Sequence, residues 1–160
     1  MNLRPARQED ATAIASLVAQ LGYKAAAPDV ADRLARVLAR SGQRFIVAES
    51  DGRVLGWVHV EVSESVDTGV FAHVAGLVVD RAYRRQGIGA ALMAEAEGWA
   101  RQQGCAVIRL RSSSTRTPAH RFYEGLGYSN VKTQYSFVKA LDSRGAEMAA
   151  RLVPRVEPET

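Results

Sequence analysis

Arg84, Arg85, Gln86, Gly87, Ile88 and Gly89 form the stretch of this chain best suited to holding an anion. Glycines one residue apart let a backbone approach a ligand closely. A helix starting there adds unpaired N–H groups and a partial positive charge, both favourable to phosphate. Residues 74–79 form an apolar, β-branched run that reads as a buried strand, and residues 80–86 read as a charged turn. From Gly87 onward, Ile88, Leu92, Met93, Ala96, Trp99 and Ala100 fall on one face of a helix that Gly104 can stop. No Gly-x-x-x-x-Gly-Lys-Ser/Thr string occurs, and Leu92 stands where a dinucleotide fingerprint would place its third small residue.

The charges around this stretch are sorted. Residues 54–80 contain no Lys or Arg but carry Glu61, Glu64, Asp67 and Asp80, whereas Arg81, Arg84 and Arg85 follow at once. Such a boundary suits a cationic acceptor and a polyanionic cofactor meeting at the strand. The net charge of +4 is spread along the chain without a Lys/Arg run interleaved with aromatics, so nucleic-acid binding is not expected. No apolar run approaches ~18 residues, and the N-terminus has no signal-peptide core, so a cytoplasmic protein without a membrane span is expected. Cys105 is the one cysteine and reads as a small buried hydrophobe. Three dispersed histidines, His59, His73 and His120, do not suggest a metal site.

The elements that must position these residues follow from periodicity. At 160 residues one domain is expected. Residues 2–6 predict an edge strand, 9–21 a helix closed by Gly22, and 28–40 a second helix. Residues 45–49 and 54–62 predict a hairpin about Ser50, Asp51 and Gly52, with 71–79 antiparallel to the second strand across a polar connection at 63–69. After the central helix come a strand at 106–110, a short helix capped by Thr117 and opened by Pro118, and a last strand at 134–141. A short helix is expected at 145–153, then a frayed Pro/Glu-rich end.

With these elements in place, the Arg-x-x-Gly-x-Gly loop, the preceding Leu77, Val78, Val79 and Asp80, and Tyr83 resemble the pyrophosphate loop of the GCN5-related N-acetyltransferases, the GNAT family. The segment from Arg116 through Ala119, Phe122 and Tyr123 to Tyr128 is similar to that family's second signature, with Arg116 where many members carry Asn. Together with residues 137–141 it resembles a bacterial small-molecule branch that includes aminoalkylphosphonate and aminoglycoside-type acetyltransferases. The resemblance spans residues 2–141. It implies an α/β fold: a GNAT-type domain over 1–142 with a mixed, mostly antiparallel sheet, a splayed strand pair and helices on both faces, followed by a tail at 143–160.

The resemblance also implies acetyl-CoA as donor. The backbone of Leu77, Val78 and Val79 would pair with the pantetheine arm, with the Val79 N–H as oxyanion donor. Arg84, Arg85, Gln86, Gly87, Ile88, Gly89 and Ala90 would hold the pyrophosphate, and Arg116 would reach the CoA phosphates or form a surface salt bridge. Gly76 is either the site of the family's β-bulge or a packing glycine. An acceptor amine of pKa ~10.4 is mostly protonated at pH 7, a penalty of roughly 4–5 kcal/mol, so a general base is useful. His73 leads as that base because it stands where several members carry a catalytic Glu; Glu61 is second, or binds the ammonium group. His59 and His120 are expected to be structural. Tyr123 matches the family's general acid toward sulfur; with a thiol pKa of ~8.5 beside a phenol of ~10, hydrogen bonding is expected to count for more than full proton transfer. The expected partner is a small-molecule amine, with a homodimer left open. The alternatives are an acetyltransferase of protein N-termini or lysines, and a non-catalytic acyl-CoA-binding module.

Overall fold

The structure, a computed structural model, describes residues 1–152. Their contacts group into two compact units, one of Met1–Ser113 and one beginning at Ser114. The first holds a five-stranded sheet in the order β1 (Asn2–Pro5), β2 (Gln43–Ser50), β3 (Arg53–Ser65), β4 (Gly69–Val79) and β5 (Ile108–Leu110). Neighbours are antiparallel except β4 and β5, which are parallel and joined through the helix between them. The sheet is therefore mixed and mostly antiparallel, as expected.

Alternation along the strands divides the core between two faces. Phe45, Val47, Trp57 and Val78 pack with Ile14 and Leu17 of α1 (Ala11–Ala19) and with Val30 and Leu34 of α2 (Ala27–Leu38). On the opposite face Ile46, Val58 and Val60 are buried, and α3 (Ile88–Gln102) packs there through Leu92, Met93 and Ala96, all fully buried. The approach is close at Gly56, where an added Cβ would lie 2.7 Å from the Val78 carbonyl oxygen and 3.3 Å from Leu92 Cδ1. Asp51 and Gly52, with φ of +50° and +74°, make the tight β2–β3 hairpin.

The first predicted helix begins as a 3-10 turn at Gln8–Asp10, where Arg4 clamps buried Asp10 through two hydrogen bonds of 2.8 and 2.9 Å. That hydrogen-bonded guanidinium holds the Asp10 carboxyl below the usual carboxylate range. The polar connection expected at 63–69 is shorter, because β3 runs to Ser65 and β4 starts at Gly69.

The second unit carries α4 (Thr117–Gly125) and α5 (Ser143–Leu152). Arg116, not Thr117, occupies the N-cap of α4 and makes no side-chain cap bond; Thr117 and Pro118 form the first turn. Pro118 lacks an N–H and so starts a helix without a full cap. The helix ends on Gly127 at φ +92°, with Tyr128 N–H donating to the Tyr123 carbonyl at 3.0 Å. The strand expected at 134–141 is absent: the segment has no ladder partner among the described residues, and Tyr135, Phe137 and Leu141 are more than 90% exposed. Alternation supplies the propensity, but a strand also needs a neighbour to satisfy its backbone. The helix expected at 145–153 is α5; position 153 and the expected frayed end lie outside the described residues.

Candidate active site

The site is built on β4, whose two ends differ. Pairing with β5 is confined to Ala72, His73 and Val74, opposite Ile108, Arg109 and Leu110. On the other side β4 pairs with β3 along its whole length, but the register slips between His59 and Val60: His59 faces Gly76 and Val60 faces Val74. The extra residue is therefore Ala75, which is exposed, and not Gly76. Gly76 is a packing glycine, since a Cβ there would lie 2.8 and 2.9 Å from the ring atoms Cζ3 and Cη2 of Trp57. Bulge and packing glycine are thus neighbouring residues.

Beyond the bulge, β4 has one partner strand among the described residues. The Asp80 N–H donates to the Leu55 carbonyl at 2.8 Å. By antiparallel alternation, residue 78 also turns its amide toward β3, while Leu77 and Val79 turn theirs away. The open edge therefore presents the amide groups of Leu77 and Val79, while the Val78 side chain is buried against the α1–α2 core.

The loop after this edge is tied down from behind. The Asp80 carboxylate accepts from the Ala82 N–H at 3.0 Å, from Arg53 at 3.0 Å and from Gln20 Nε2 at 3.4 Å, and the Ala82 bond leads in holding its pKa below the usual range. Arg81 is bound to the Gln20 carbonyl at 2.8 Å. Arg84 Nε donates to the Val79 carbonyl at 3.2 Å, so that cation sits directly beside the open edge. Arg85 and Gly87 have φ of +60° and +80°, which turn the chain into α3. Gly87 is the N-cap of that helix and offers no side chain to its first N–H groups, those of Ile88, Gly89 and Ala90. A Cβ on Gly87 would meet nothing within 4 Å, so the space in front of the turn is open. These residues fit a pyrophosphate: backbone donors without a side-chain cap, open space at Gly87 and adjacent Arg84 and Arg85.

At the other end of β4, His73 lies directly opposite Glu61 of β3. Glu61 in turn faces Gln43 of β2, and His73 faces Arg109 of β5. Amide, carboxylate, imidazole and guanidinium thus form one row across four strands, on the face that carries Trp57 and Phe45 farther along. Burial pushes the His73 pKa below its ordinary value; Glu61 and a hydrogen bond with the Arg109 backbone oppose the shift, and the Arg111 and Arg109 charges add to it. His59 is lowered as well, first by burial. His59 stacks on Phe45 at 5.4 Å and lies 3.0 Å from Gln43 Oε1 through Nε2. Sequence periodicity does not single out Gln43 or Arg109; the one local signal is Arg109 itself, a charged residue between the apolar Ile108 and Leu110 of β5. Among the described residues no group of His, Cys, Asp and Glu is arranged to hold a metal, and no helix is long and apolar enough to cross a membrane.

Tyr123 and Arg116 belong to the second unit. The Tyr123 ring meets Phe122 edge-on at 5.1 Å and Tyr128 at 5.9 Å. Burial raises the phenol pKa and Arg116 partly offsets the rise, so the Tyr123 hydroxyl is protonated at neutral pH.

Comparison with known proteins places the chain in a family. The Acetyltransferase (GNAT) family model matches residues 11–128. The aminoalkylphosphonate N-acetyltransferase of Salmonella typhimurium is 30% identical over 145 residues, covering 87% of this chain and 90% of that protein. An aminoglycoside N(6')-acetyltransferase type 1 of Klebsiella aerogenes is 29% identical over 116 residues, covering 71% and 76% of the two chains. Among solved structures, AAC(6')-Iy in complex with a CoA–acetylneamine bisubstrate analog superposes with a TM-score of 0.78 at 17% identity, covering 86% and 97% of the chains. This chain belongs to the GNAT family of acetyltransferases and is an enzyme of the acyltransferase class.

Proposed function

We propose that the protein transfers an acetyl group from acetyl-CoA to a primary amine of a small molecule, by direct attack within a ternary complex. The observation that carries this reading is the succession of an unpaired strand edge, an arginine-flanked turn and an open helix N-terminus along residues 77–90. Leu77 and Val79 bind the pantetheine amides as a neighbouring strand would, and Val78 anchors the edge to the core. Arg84, Arg85, Gln86, Gly87, Ile88, Gly89 and Ala90 hold the pyrophosphate, with Arg116 contributing to the CoA phosphates. The catalytic domain in this reading is 1–142, with 143–160 appended, and the setting is cytoplasmic.

Glu61 orients the acceptor ammonium, cationic at the nitrogen that reacts, and His73 removes one of its protons. The nitrogen lone pair then attacks the thioester carbonyl carbon while the Val79 N–H stabilises the oxyanion. Collapse forms the C–N amide bond and breaks the C–S bond. Tyr123 hydrogen-bonds the departing thiolate, and the amine's second proton leaves to solvent.

Release of free CoA from acetyl-CoA is to be measured with a panel of small amines and with peptides bearing free N-termini or lysines. Turnover with small amines supports the assignment; binding without turnover indicates a non-catalytic module, and turnover with peptides alone a protein acetyltransferase. Tyr123→Phe is expected to lower turnover tenfold to a thousandfold, ~1.4–4 kcal/mol, with acetyl-CoA affinity nearly unchanged. An unchanged rate, with chemistry limiting, returns Tyr123 to a packing role.

A further inference from the structure

Two members of the four-strand row, Gln43 and Arg109, have no part in the acetyl-transfer reading, and Arg109 is the charged one. Arg109 lies opposite His73 on the parallel β5 strand, on the same face as Glu61. Its guanidinium is fixed over the Phe71 ring, 4.2 Å from the centroid, and it is in no ion pair among the described residues. Asp67, exposed in the turn between β3 and β4, interacts with it only through its field. Arg111, two residues farther along the same alternation, is a second exposed cation on this side of His73. The row is therefore polarised: carboxylate on the β3 side of His73, cations on the β5 side, about one strand spacing of ~4.8 Å per step.

A polycationic acceptor centred on His73 would meet Glu61 favourably and Arg109 and Arg111 unfavourably. A molecule cationic at one end and anionic at the other matches both sides. We propose, resting on the acetyl-transfer reading above, that the acceptor is a short zwitterion: an amine that also carries a carboxylate, phosphonate or similar anion, with Glu61 and His73 receiving the nitrogen and Arg109 the anionic group. The planar guanidinium held on Phe71 presents paired donors to such an oxyanion. Arg109 is thus a specificity-determining residue, and the acceptor is cationic only at the nitrogen that reacts.

The test compares kcat/KM for four probes of matched chain length: an ω-amino acid, an ω-aminoalkylphosphonate, a plain alkylamine and a diamine. The native enzyme is expected to favour the two zwitterions over the alkylamine by at least about tenfold, mainly through KM. Arg109→Glu should reverse the order in favour of the diamine, and Arg109→Lys should retain the zwitterion preference in weakened form. An unchanged acetyl-CoA thermal shift shows that each variant is folded with its donor site intact. If alkylamine and diamine are acetylated as well as the zwitterions, or if Arg109→Glu only moves the pH–rate profile and leaves the acceptor ratio unaltered, this inference is overturned while acetyl transfer stands. If no amine is acetylated, both readings fall.

Discussion

Two stretches of β4, 72–74 and 77–79, differ in what they leave available for chemistry. At 72–74 the strand is paired on both sides, its backbone is satisfied by β3 and β5, and only side chains remain to do chemistry: His73, with Glu61 and Arg109 as neighbours. At 77–79 the side chains are apolar and Val78 is buried, but among the described residues no strand lies beside one backbone edge, so the amides are the groups left available there. The exposed bulge at Ala75 and the glycine beneath Trp57 separate the two regimes. In the proposed reaction one strand serves donor and acceptor at once, because backbone and side-chain groups are made available at different points along it.

This division predicts that changes at one end leave the other's readout intact. The largest effect is expected from His73→Ala: a loss of about a hundredfold to ten-thousandfold in turnover near neutral pH, the usual range for a positioned general base, with acetyl-CoA binding unchanged. Burial holds His73 below its ordinary pKa of 6.5, so its proton-accepting form persists at neutrality and native activity is lost on acidification only below that value. The variant should partly recover as rising pH supplies neutral amine. A profile parallel to that of the native enzyme removes His73 from the mechanism.

Gly87→Val acts on the other end. A β-branched residue at φ +80° is strained, and its side chain enters the space in front of the α3 N-terminus. At 100 times its dissociation constant acetyl-CoA should add about 2.7 kcal/mol to the native protein and nothing measurable to the variant. A folded Gly87→Val protein that binds normally breaks the loop assignment.

At the boundary between the ends, Gly76→Ala forces a Cβ against the Trp57 ring and should destabilise the protein by about 1–3 kcal/mol in denaturant melts. Trp57→Phe in the same chain removes the obstructing ring atoms and should restore part of the loss; strict additivity of the two changes argues against the contact. The smallest effect is expected from Glu61→Gln, which should raise the acceptor's KM several-fold, about 1 kcal/mol, without altering the acetyl-CoA shift. A fall in kcat at constant KM would instead make Glu61 the base.

How much of this was legible depends on whether the signal was local. The glycine turn, the helix face from Ile88 to Ala100 and the hairpin at Asp51 and Gly52 depend on near neighbours and were read correctly. The strand expected at 134–141 failed because alternation reports only a willingness to be extended, and no described strand accepts the segment. The cap at Thr117 failed for a smaller reason, since Pro118 tolerates an N-terminus one residue earlier than the hydroxyl suggested. Local sequence leaves Gly76 open as either the bulge or a packing residue; cross-strand register makes it the second and gives the bulge to Ala75.

The sequence by itself determined the order of elements through β5 and the glycine turn into α3, because such a turn is written in consecutive residues. It also showed a stretch, 54–80, free of basic side chains. Only the tertiary structure decided that this stretch is not free of basic neighbours. Parallel pairing across α3 brings Arg109 beside His73, and antiparallel pairing brings Glu61 to its other side. Register between strands is settled by the packing of whole faces, to which every strand contributes at once.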